Sequence, residues 1–251
     1  MPKFFVNKNQ FNNNTITITG NDINHIKNVL RYEINDEIQI TVIDEEQLLS
    51  ITYLCNILLL NNDKVLCKIN HVIEQNKETN TYIHLFQALP KLDKMEYIIQ
   101  KNTEIGVKEF TPVITKRCIA KLDEKSCSSK IIRWQKICEV ASKQSGRDII
   151  PKINNIINLK NIYPLLKSYD IVIIAYENEQ ENTLKKELYK LKNKKQNKIA
   201  ILIGPEGGFD YDEITKLKNI GAKTVTLGKT ILRAETASIV ICSNILFELE
   251  D

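Results

Sequence analysis

Glycine and arginine are scarce in this chain of 251 residues. It contains eight glycines, and five of its 35 basic residues are arginine. The sequence otherwise favours Lys, Asn and Ile, so these two residue types are expected where lysine or asparagine could not replace them. Arginine offers a planar fork of donors, and glycine adopts a positive φ at little steric cost. Their positions therefore indicate chemical or conformational requirements.

Hydrophobic runs long enough to cross a membrane are also missing. The first fourteen residues are polar apart from one three-residue apolar cluster, which predicts neither a secretory signal nor a membrane span. The six cysteines include no CxxC pair and have no nearby histidine, so we expect reduced thiols rather than disulfides or zinc ligands. They are Cys55, Cys67, Cys118, Cys127, Cys138 and Cys242. The sequence therefore predicts a cytoplasmic protein with no membrane segment and no metal.

Charge is unevenly distributed along the chain. The net charge is +4 overall, but residues 1–80 carry −3 and residues 81–152 carry +6. A basic block of this kind can bind a phosphate backbone. On charge alone, a solvated lysine-rich face is an equally good explanation.

Residues 1–73 are predicted to form a small β-barrel. Alternating or continuous apolar patterns predict strands at residues 15–20, 36–44, 51–61 and 64–73. A short helix is predicted at residues 21–31, with Asn21 or Asp22 as its N-cap. Its apolar face would comprise Ile23, Ile26, Val29 and Leu30. Several short strands with one helix are typical of a barrel, and the polar segment 74–80 is predicted to be a linker.

Strands and helices alternate after residue 81. Strands are predicted at residues 82–89, 109–115, 170–176, 198–204 and 223–228, and helices at residues 93–106, 128–146, 181–194, 211–221 and 235–250. This alternation predicts a largely parallel sheet covered by helices on both faces. Ligands bind such sheets at the carboxyl ends of the strands.

The strongest functional signal is a glycine-rich segment at residues 204–208. A buried strand runs directly into Gly-Pro-Glu-Gly-Gly, which holds three of the eight glycines. The exposed backbone groups of such a loop suit hydrogen bonding to an adenine or a ribose, whereas a mere tight turn is the alternative. Asp210 and Glu213 predict a capping box for the next helix.

A second glycine-containing loop follows the next strand. That strand ends at Gly228 and leads into the last helix, so we predict that the two loops form two walls of one pocket. Arg233 projects into this pocket, flanked by Glu235 and Thr236. Neither a Walker loop nor a GxGxxG fingerprint is present. Ser238 and Ser243 fall on a helical pattern, which argues against a hydrolase nucleophile elbow.

Five separated segments of this sequence share their order and spacing with one protein family. They read LPKLDKMEYIIQKNTEIGV, ITKRCIAKL, WQKICEVASKQSGR, ILIGPEGGF and LGKTILRAETA. Together with His25 and the following NVLR, they resemble the RsmE family, the 16S ribosomal RNA uridine-N3 methyltransferases of the SPOUT superfamily. One departure is Lys3, where relatives commonly have an early arginine, and this weakens the case for RNA contact at that end.

The resemblance implies an α/β protein with two domains. Residues 74–251 would form a SPOUT-type knotted, mostly parallel sheet flanked by helices, with a trefoil knot. Residues 1–73 would form a small PUA-like, RNA-binding β-barrel. The family also implies a homodimer, the cofactor S-adenosylmethionine, and 16S rRNA of the small ribosomal subunit as the partner.

The resemblance also assigns residues to the site. The expected cofactor-binding residues are Ala175, Tyr176, Glu177, Ile203, Gly204, Pro205, Glu206, Gly207, Gly208, Leu227, Gly228, Ile231, Leu232, Thr236 and Ala237. The expected RNA-binding residues are Arg31, Lys91, Lys94, Lys101, Arg117, Gln144 and Arg147. A solvated surface is an equally good explanation for each of the three lysines, and Arg147 could instead interact with a helix C-terminus.

The expected chemistry requires few protein groups. Uridine N3 must lose its proton and meet the methyl group in line, which is mainly a matter of positioning. The resulting anion is stabilised by a fixed guanidinium, and we assign Arg233 to this role. Glu206, Glu235 or water are candidates for the base, and methyl transfer from a sulfonium requires no metal. We interpret His25, His71, His84 and Trp134 as structural residues.

Two other functions stay open at this point. One is a related SPOUT enzyme acting on a ribose 2′-hydroxyl or another base. The other is a noncatalytic RNA-binding assembly factor that retains the fold. The glycines of both loops, with Arg233 between them, argue against the second.

Overall fold

The protein is described from a computed structural model, which covers residues 2–44, 49–73, 78–119, 124–192 and 197–250. The chain divides into two compact units. The first contains Met1–Glu78 and Ser142–Ile149, and the second contains Thr79–Ala141 and Ile150–Asp251. The predicted boundary after residue 73 adjoins residues 74–77, which lie outside the described residues, so that boundary stays a prediction.

The first unit contains a six-stranded sheet. Its strands are β1 (Lys3–Asn7), β2 (Phe11–Asn12), β3 (Thr15–Ile18), β4 (Glu37–Asp44), β5 (Leu49–Leu60) and β6 (Val65–Val72), in the spatial order β1-β4-β5-β6-β3-β2. Strands β1 and β2 lie at opposite ends of this order, yet only Lys8–Gln10 separate them in the chain. Because so short a connection cannot span a flat sheet, the sheet must curl until its ends approach each other. This is the predicted barrel.

The helix of the first unit differs from the prediction. Helix α1 (Asn21–Asn24) has Gly20 as its N-cap, so the prediction of Asn21 or Asp22 was wrong. It continues as a π-helical turn over His25–Val29, in which the Leu30 N–H donates to the His25 carbonyl at 2.9 Å. A π turn is wider than an α turn and rotates the later side chains. Val29 is therefore 63% exposed rather than part of the apolar face. His25 is exposed as well, but its ring packs edge-on against Phe4.

The second unit is built on a parallel sheet. Its strands are β7 (Tyr82–Ala88), β8 (Glu109–Ile114), β9 (Lys152–Ile153), β10 (Ile157–Asn158), β11 (Ile171–Ala175), β12 (Lys198–Ile203) and β13 (Lys223–Val225). Their spatial order is β10-β8-β7-β12-β11-β13, with β9 paired to β8, and every pairing is parallel. The helices are α2 (Lys94–Ile105), α3 (Glu124–Ser145), α4 (Leu159–Leu166), α5 (Leu184–Tyr189), α6 (Tyr211–Asn219) and α7 (Ala234–Leu249). From Ser142 onward, α3 belongs to the first unit.

Helices cover both faces of this sheet, as predicted. Along β12, Ile199 and Ile201 pack into a cluster with α2, α5 and α7, whereas Ala200 and Leu202 pack into a second cluster with α4 and α6. Because successive side chains of a strand point to opposite faces, a strand buried on both faces must be apolar throughout. The α/β fold class is confirmed, and the trefoil knot stays an expectation from the resemblance.

Local signals were accurate at several helix ends. Gly106 follows α2 with a φ of 127°, and Gly146 follows α3 with a φ of 70°. Asp210 and Glu213 form the predicted capping box of α6. Trp134 is buried as predicted, and all six cysteines are free thiols. Helix α5 is shorter than predicted, because Thr183 is its N-cap and the helix ends at Tyr189.

A buried polar network lies at the amino ends of the strands. The His84 ring bonds to the Tyr169 hydroxyl through Nδ1 and to the Thr111 hydroxyl through Nε2, the latter at 2.7 Å. The Glu109 carboxylate lies 3.2 Å from Nδ1 and accepts from the Tyr82 hydroxyl at 2.6 Å. Burial lowers the pKa of His84 to about 4, because a charged imidazolium is poorly solvated there.

This network predicts a specific loss of stability in acid. The pKa of His84 is 6.5 when unperturbed and about 4 in the fold. The stabilisation that depends on neutral His84 is therefore fully present above about pH 6.5 and is lost as the pH falls towards 4. The free energy of unfolding should fall by roughly 3 kcal/mol over this range. Urea denaturation of the wild type and His84→Gln at pH 7 and pH 4.5 measures this difference. His71→Gln, at an exposed position, should retain the wild-type pH dependence. An equal acid loss in His84→Gln would contradict the assignment.

Candidate functional site

The predicted cofactor segments leave one edge of the parallel sheet. Ala175 at the end of β11 pairs with Ile203 at the end of β12 on one side and with Val225 at the end of β13 on the other. Ile203 also pairs with Gln87 near the end of β7. These strands therefore end level, and we call this line of strand ends the carboxyl edge. The loops that follow all four strands begin there.

One detail of the predicted pocket was wrong. Strands β12 and β13 are not neighbours, because β11 lies between them. The glycine loop (residues 204–208) and the arginine loop (residues 226–233) are therefore separated by the middle loop (residues 176–183). Strand order in a parallel sheet is set by crossover connections, so chain order alone could not give it.

Close packing explains two glycines of the glycine loop. A Cβ atom on Gly208 would lie 2.1 Å from the Glu177 carboxylate of the middle loop, and this residue has a φ of +68°. A Cβ atom on Gly204 would lie 3.2 Å from the Phe209 ring. The Gly208 N–H donates to the Pro205 carbonyl at 2.9 Å, which closes a tight turn. The glycine loop is thus both a turn and a surface that another group approaches closely.

The arginine loop leaves polar groups available. The Thr226 hydroxyl bonds to the Gly228 carbonyl at 3.0 Å, and Gly228 has a φ of +140° with open space where a Cβ would lie. Within the described part of the chain, the N–H groups of Leu227 and Leu232 donate to no acceptor. These amides are suited to a ligand that carries acceptors.

Arg233 is an exposed N-cap residue of α7. Its carbonyl accepts from the Ala237 N–H at 2.8 Å, but within the described ranges its guanidinium forms no hydrogen bond or ion pair. Glu206 and Glu235, the two candidate bases, do not pair with Arg233. Instead, the Lys94 ammonium lies 3.1 Å from Glu206 Oε1 and 3.3 Å from Glu235 Oε2.

Glu206 is held in its ionised form. Both of its carboxylate oxygens accept from the Lys91 N–H, at 3.1 and 3.3 Å. Burial raises the pKa of Glu206, but backbone N–H groups and Lys94 outweigh this and bring it below the usual value. The Glu206 carboxylate in turn raises the pKa of Lys94, and Glu235 raises it further. This cluster of Lys94, Glu206 and Glu235 is called the lysine bridge below.

The predicted RNA-binding residues of the second unit lie near the carboxyl edge or on α2. Arg117, which follows β8, donates to the Gly207 carbonyl at 2.9 Å while its side chain stays 48% exposed. Lys91 is exposed, and Lys94 belongs to the lysine bridge. Lys101 lies further along α2 and pairs with Glu104 at 2.9 Å.

The remaining RNA-binding predictions fall in the first unit. Arg31, with a φ of 56°, and Gln144 are exposed. Arg147 is buried, and its guanidinium pairs with Glu78 at 2.7 Å. A buried ion pair gives Arg147 a structural role. Lys3 is likewise buried and pairs with Asp148.

Sequence reasoning missed the residues that organise the middle loop. The Glu179 carboxylate accepts from the Thr224 hydroxyl at 2.5 Å and from the Asn182 N–H at 3.1 Å. The Asn182 side chain donates to the Thr224 carbonyl at 2.8 Å, which ties the loop to β13. The sequence did contain one signal for these residues. Between a predicted strand and the Thr183 N-cap lies a polar segment that lacks a helical period.

A cleft of about 460 Å³ lies at the opposite edge of the sheet, at the amino ends of β11 and β13. Its lining includes Tyr169, Ile171 and Lys223 and contains no sequence-predicted site residue. Across the described ranges, no helix is long and apolar enough to span a membrane. The same ranges contain no group of three or more His, Cys, Asp or Glu side chains arranged to bind a metal.

Comparisons with known proteins identify the domains and the family of this chain. Residues 77–246 match the model of an RNA methyltransferase domain, and residues 18–70 match that of an RNA methyltransferase PUA domain. Ribosomal RNA small subunit methyltransferase E of Mesomycoplasma hyopneumoniae is 37% identical over 95% of this chain and 96% of its own. The Bacillus subtilis protein of that name is 31% identical over 94% of this chain and 91% of its own.

A solved structure extends the likeness to three dimensions. The Neisseria gonorrhoeae ribosomal RNA small subunit methyltransferase E, bound to S-adenosyl methionine, superposes with a TM-score of 0.83 at 28% identity. The match covers 98% of this chain and 97% of that one. The chain therefore belongs to the ribosomal RNA small subunit methyltransferase E family.

Proposed function

We propose that this chain uses S-adenosylmethionine to methylate N3 of a uridine in 16S rRNA of the small ribosomal subunit. The observation that carries the proposal is the carboxyl edge, where the glycine, middle and arginine loops begin. Beside them lies the guanidinium of Arg233, which pairs with none of the described residues. Family membership and the cofactor in the Neisseria gonorrhoeae structure support it.

The loops fit this cofactor. Its adenine and ribose carry acceptors and hydroxyls. The N–H groups of Leu227 and Leu232, which have no acceptor among the described residues, provide donors. The open space at Gly228 allows close approach of a ligand to the backbone. Bound S-adenosylmethionine would supply an activated methyl group on a sulfonium. We assign its contacts to Ala175, Tyr176, Glu177, Ile203, Gly204, Pro205, Glu206, Gly207, Gly208, Leu227, Gly228, Ile231, Leu232, Thr236 and Ala237.

Arg233 supplies the electrostatic part of the reaction. A uridine that loses its N3 proton carries negative charge on its carbonyl oxygens, and a guanidinium stabilises that charge through paired hydrogen bonds. The lowered pKa of Glu206 makes it a weak base at neutral pH. Glu235 is occupied by Lys94. We therefore favour water as the acceptor of the N3 proton.

RNA contact is proposed for exposed cations at the same edge. Lys91 and Arg117 follow β7 and β8, and Arg117 reaches the glycine loop. Arg31 and Gln144 are proposed contacts of the first unit, and Lys101 on α2 is a further proposed contact of the second unit. Such contacts with phosphates position the RNA without reading its sequence.

Nucleoside mapping tests the proposed function. The protein and isotope-labelled S-adenosylmethionine are incubated with unmodified 16S rRNA and with small subunits, and the digested nucleosides are analysed by mass spectrometry. We expect label in 3-methyluridine. Label in a 2′-O-methyl nucleoside or another base would overturn the N3 assignment. Absence of cofactor binding would identify a noncatalytic RNA-binding protein.

We also propose a homodimer through one face of α7. Val240 and Phe247 are seven residues apart on that helix, hence on one face, and Phe247 is 82% exposed. Ile245 and Leu246 of the same helix are not part of this face, because both are buried in the core of the chain itself. Ile239 and Leu249 are half-buried. An unpartnered apolar face of this kind suits an obligate interface.

Light scattering tests this dimer. The wild type should give twice the chain mass of 28.9 kDa, and Phe247→Asp should give 28.9 kDa at micromolar concentration, because a carboxylate is costly in an apolar interface. Ile132→Asp, at a 72% exposed position on α3, should stay dimeric. A monomeric wild type would contradict the proposal.

A further inference from the structure

Two carboxylates meet one ammonium group where α2, the glycine loop and α7 come together. Lys94 is the first residue of α2, Glu206 belongs to the glycine loop, and Glu235 lies in the first turn of α7. Arg233, the N-cap of α7, precedes Glu235 by two residues. Yet both carboxylates contact Lys94, and Arg233 has no ionic partner within the described residues.

The position of Lys94 is fixed by packing. Met95 and Ile98, which follow it on α2, are buried in the same core as Ala237 and Ile241 of α7. Between the same two helices, the Asn102 amide donates to the Ser238 hydroxyl at 3.2 Å. Because this core and this hydrogen bond hold α2 against α7, the Lys94 ammonium stays beside Glu235.

The carboxylates require a cation. Glu235 Oε2 is buried and accepts no hydrogen bond from the described residues, so the ammonium 3.3 Å away is the charge that compensates it. A buried carboxylate without a cation is strongly unfavourable. Without Lys94, Glu206 and Glu235 would lose the cation that they share. Arg233 lies two residues before Glu235, and its guanidinium has no ionic partner among the described residues.

We propose that Lys94 is a positioning residue that occupies Glu206 and Glu235 and thereby keeps the Arg233 guanidinium free for the substrate. Lys94 touches neither cofactor nor uridine in this role and acts through Arg233. The benefit for turnover rests on the proposed function. The ionic arrangement itself exists in the protein without cofactor or RNA, so it can be tested separately.

Nuclear magnetic resonance of the arginine side chains tests the arrangement directly. The chain has five arginines, so its Nε–H spectrum contains few signals, and loss of one signal in Arg233→Lys assigns Arg233. Free of cofactor and RNA, the wild type should show rapid exchange of the Arg233 Nε–H with water. In Lys94→Ala this exchange should slow by about tenfold, because the guanidinium is captured by a carboxylate. Lys94→Arg should restore the wild-type rate.

A variant that also lacks both carboxylates tests whether they are the groups that capture Arg233. In Lys94→Ala/Glu206→Gln/Glu235→Gln, no carboxylate of the bridge remains to capture Arg233, so its rapid exchange should return. Unchanged exchange in Lys94→Ala, or slow exchange that persists in the triple variant, would overturn the proposal. If Lys94→Ala does not fold, Lys94→Gln replaces it, since its side chain keeps a polar end without the charge.

Turnover provides the second readout. Lys94→Ala should lower kcat by about tenfold, with cofactor Kd within a few fold, and Lys94→Arg should recover most of it. Lys136→Ala, which removes an exposed lysine paired with Glu139 on α3, is the matched control and should retain wild-type turnover. Capture of Arg233 without any loss of turnover would overturn the catalytic part of the proposal. If the wild type methylates another position, the proposed function fails while the exchange results still decide the role of Lys94.

Discussion

Replacement of Arg233 by alanine is expected to lower turnover by on the order of 100-fold or more, as for the loss of one preorganised electrostatic donor. The affinity for S-adenosylmethionine should stay within a few fold. The reason is that the Arg233 side chain is exposed and its guanidinium bonds to none of the described residues, so its truncation disturbs no contact that shapes the loops. Arg233→Lys should recover part of the activity, because lysine keeps the charge but lacks the planar fork.

Single-turnover methylation and cofactor titration measure the two effects separately. Arg133→Ala is the matched control, since Arg133 is an exposed arginine on α3 that pairs with Glu96 at 2.7 Å. It should behave like the wild type. Near-normal methylation by Arg233→Ala would contradict the assigned role. A joint loss of cofactor affinity and thermal stability would show instead that Arg233 holds the arginine loop in place.

Replacement of Gly208 by valine should weaken cofactor binding by about 100-fold or more, equivalent to roughly 3 kcal/mol. A Cβ atom there would lie 2.1 Å from the Glu177 carboxylate, and the residue has a φ of +68°. The glycine loop and the middle loop must therefore move apart, which separates two segments that we assign to the cofactor. Calorimetric titration with S-adenosylmethionine measures the loss.

Variants of two other glycines distinguish a loss of folding stability from a loss of contact with the ligand. Gly221 has a φ of +96° with open space around it at the amino end of β13, so Gly221→Val should lower stability and leave cofactor affinity unchanged. At Gly207 a Cβ would lie 3.6 Å from Arg117, an ordinary contact, so Gly207→Ala should fold normally. Any loss of affinity in Gly207→Ala then reports contact with the ligand. Full affinity in Gly208→Val would show that the pocket lies elsewhere.

The sequence by itself determined the elements whose signals are local. The apolar run of β12 predicted a strand buried on both faces, because each face of a sheet takes alternate residues. Asp210 and Glu213 predicted the cap of α6, since both partners of a capping box lie within one turn. The glycine loop and Arg233 were identified because residues so scarce in this chain need a local reason.

The sequence-based predictions failed for the first helix and for the first strand. The first helix was interpreted with an α-helical period, and the π turn over His25–Val29 moved Val29 and His25 to the surface. The first strand, Lys3–Asn7, was missed because its apolar cluster is short and lies in a polar segment. It is a strand because β4 pairs with it in parallel. The sequence of a five-residue segment does not show which strand will pair with it.

The tertiary structure alone decided which strand ends and which charges are neighbours. Chain order predicted that the glycine and arginine loops are adjacent, but the crossover connections put β11 between their strands. Arg147 pairs with Glu78, and Lys94 pairs with both Glu206 and Glu235. Hydrophobic period and capping depend on residues within one or two turns, and the sequence contains them. Ion pairs form between any charges that the packed strands bring together, so the partner of each charge at this site depends on the fold.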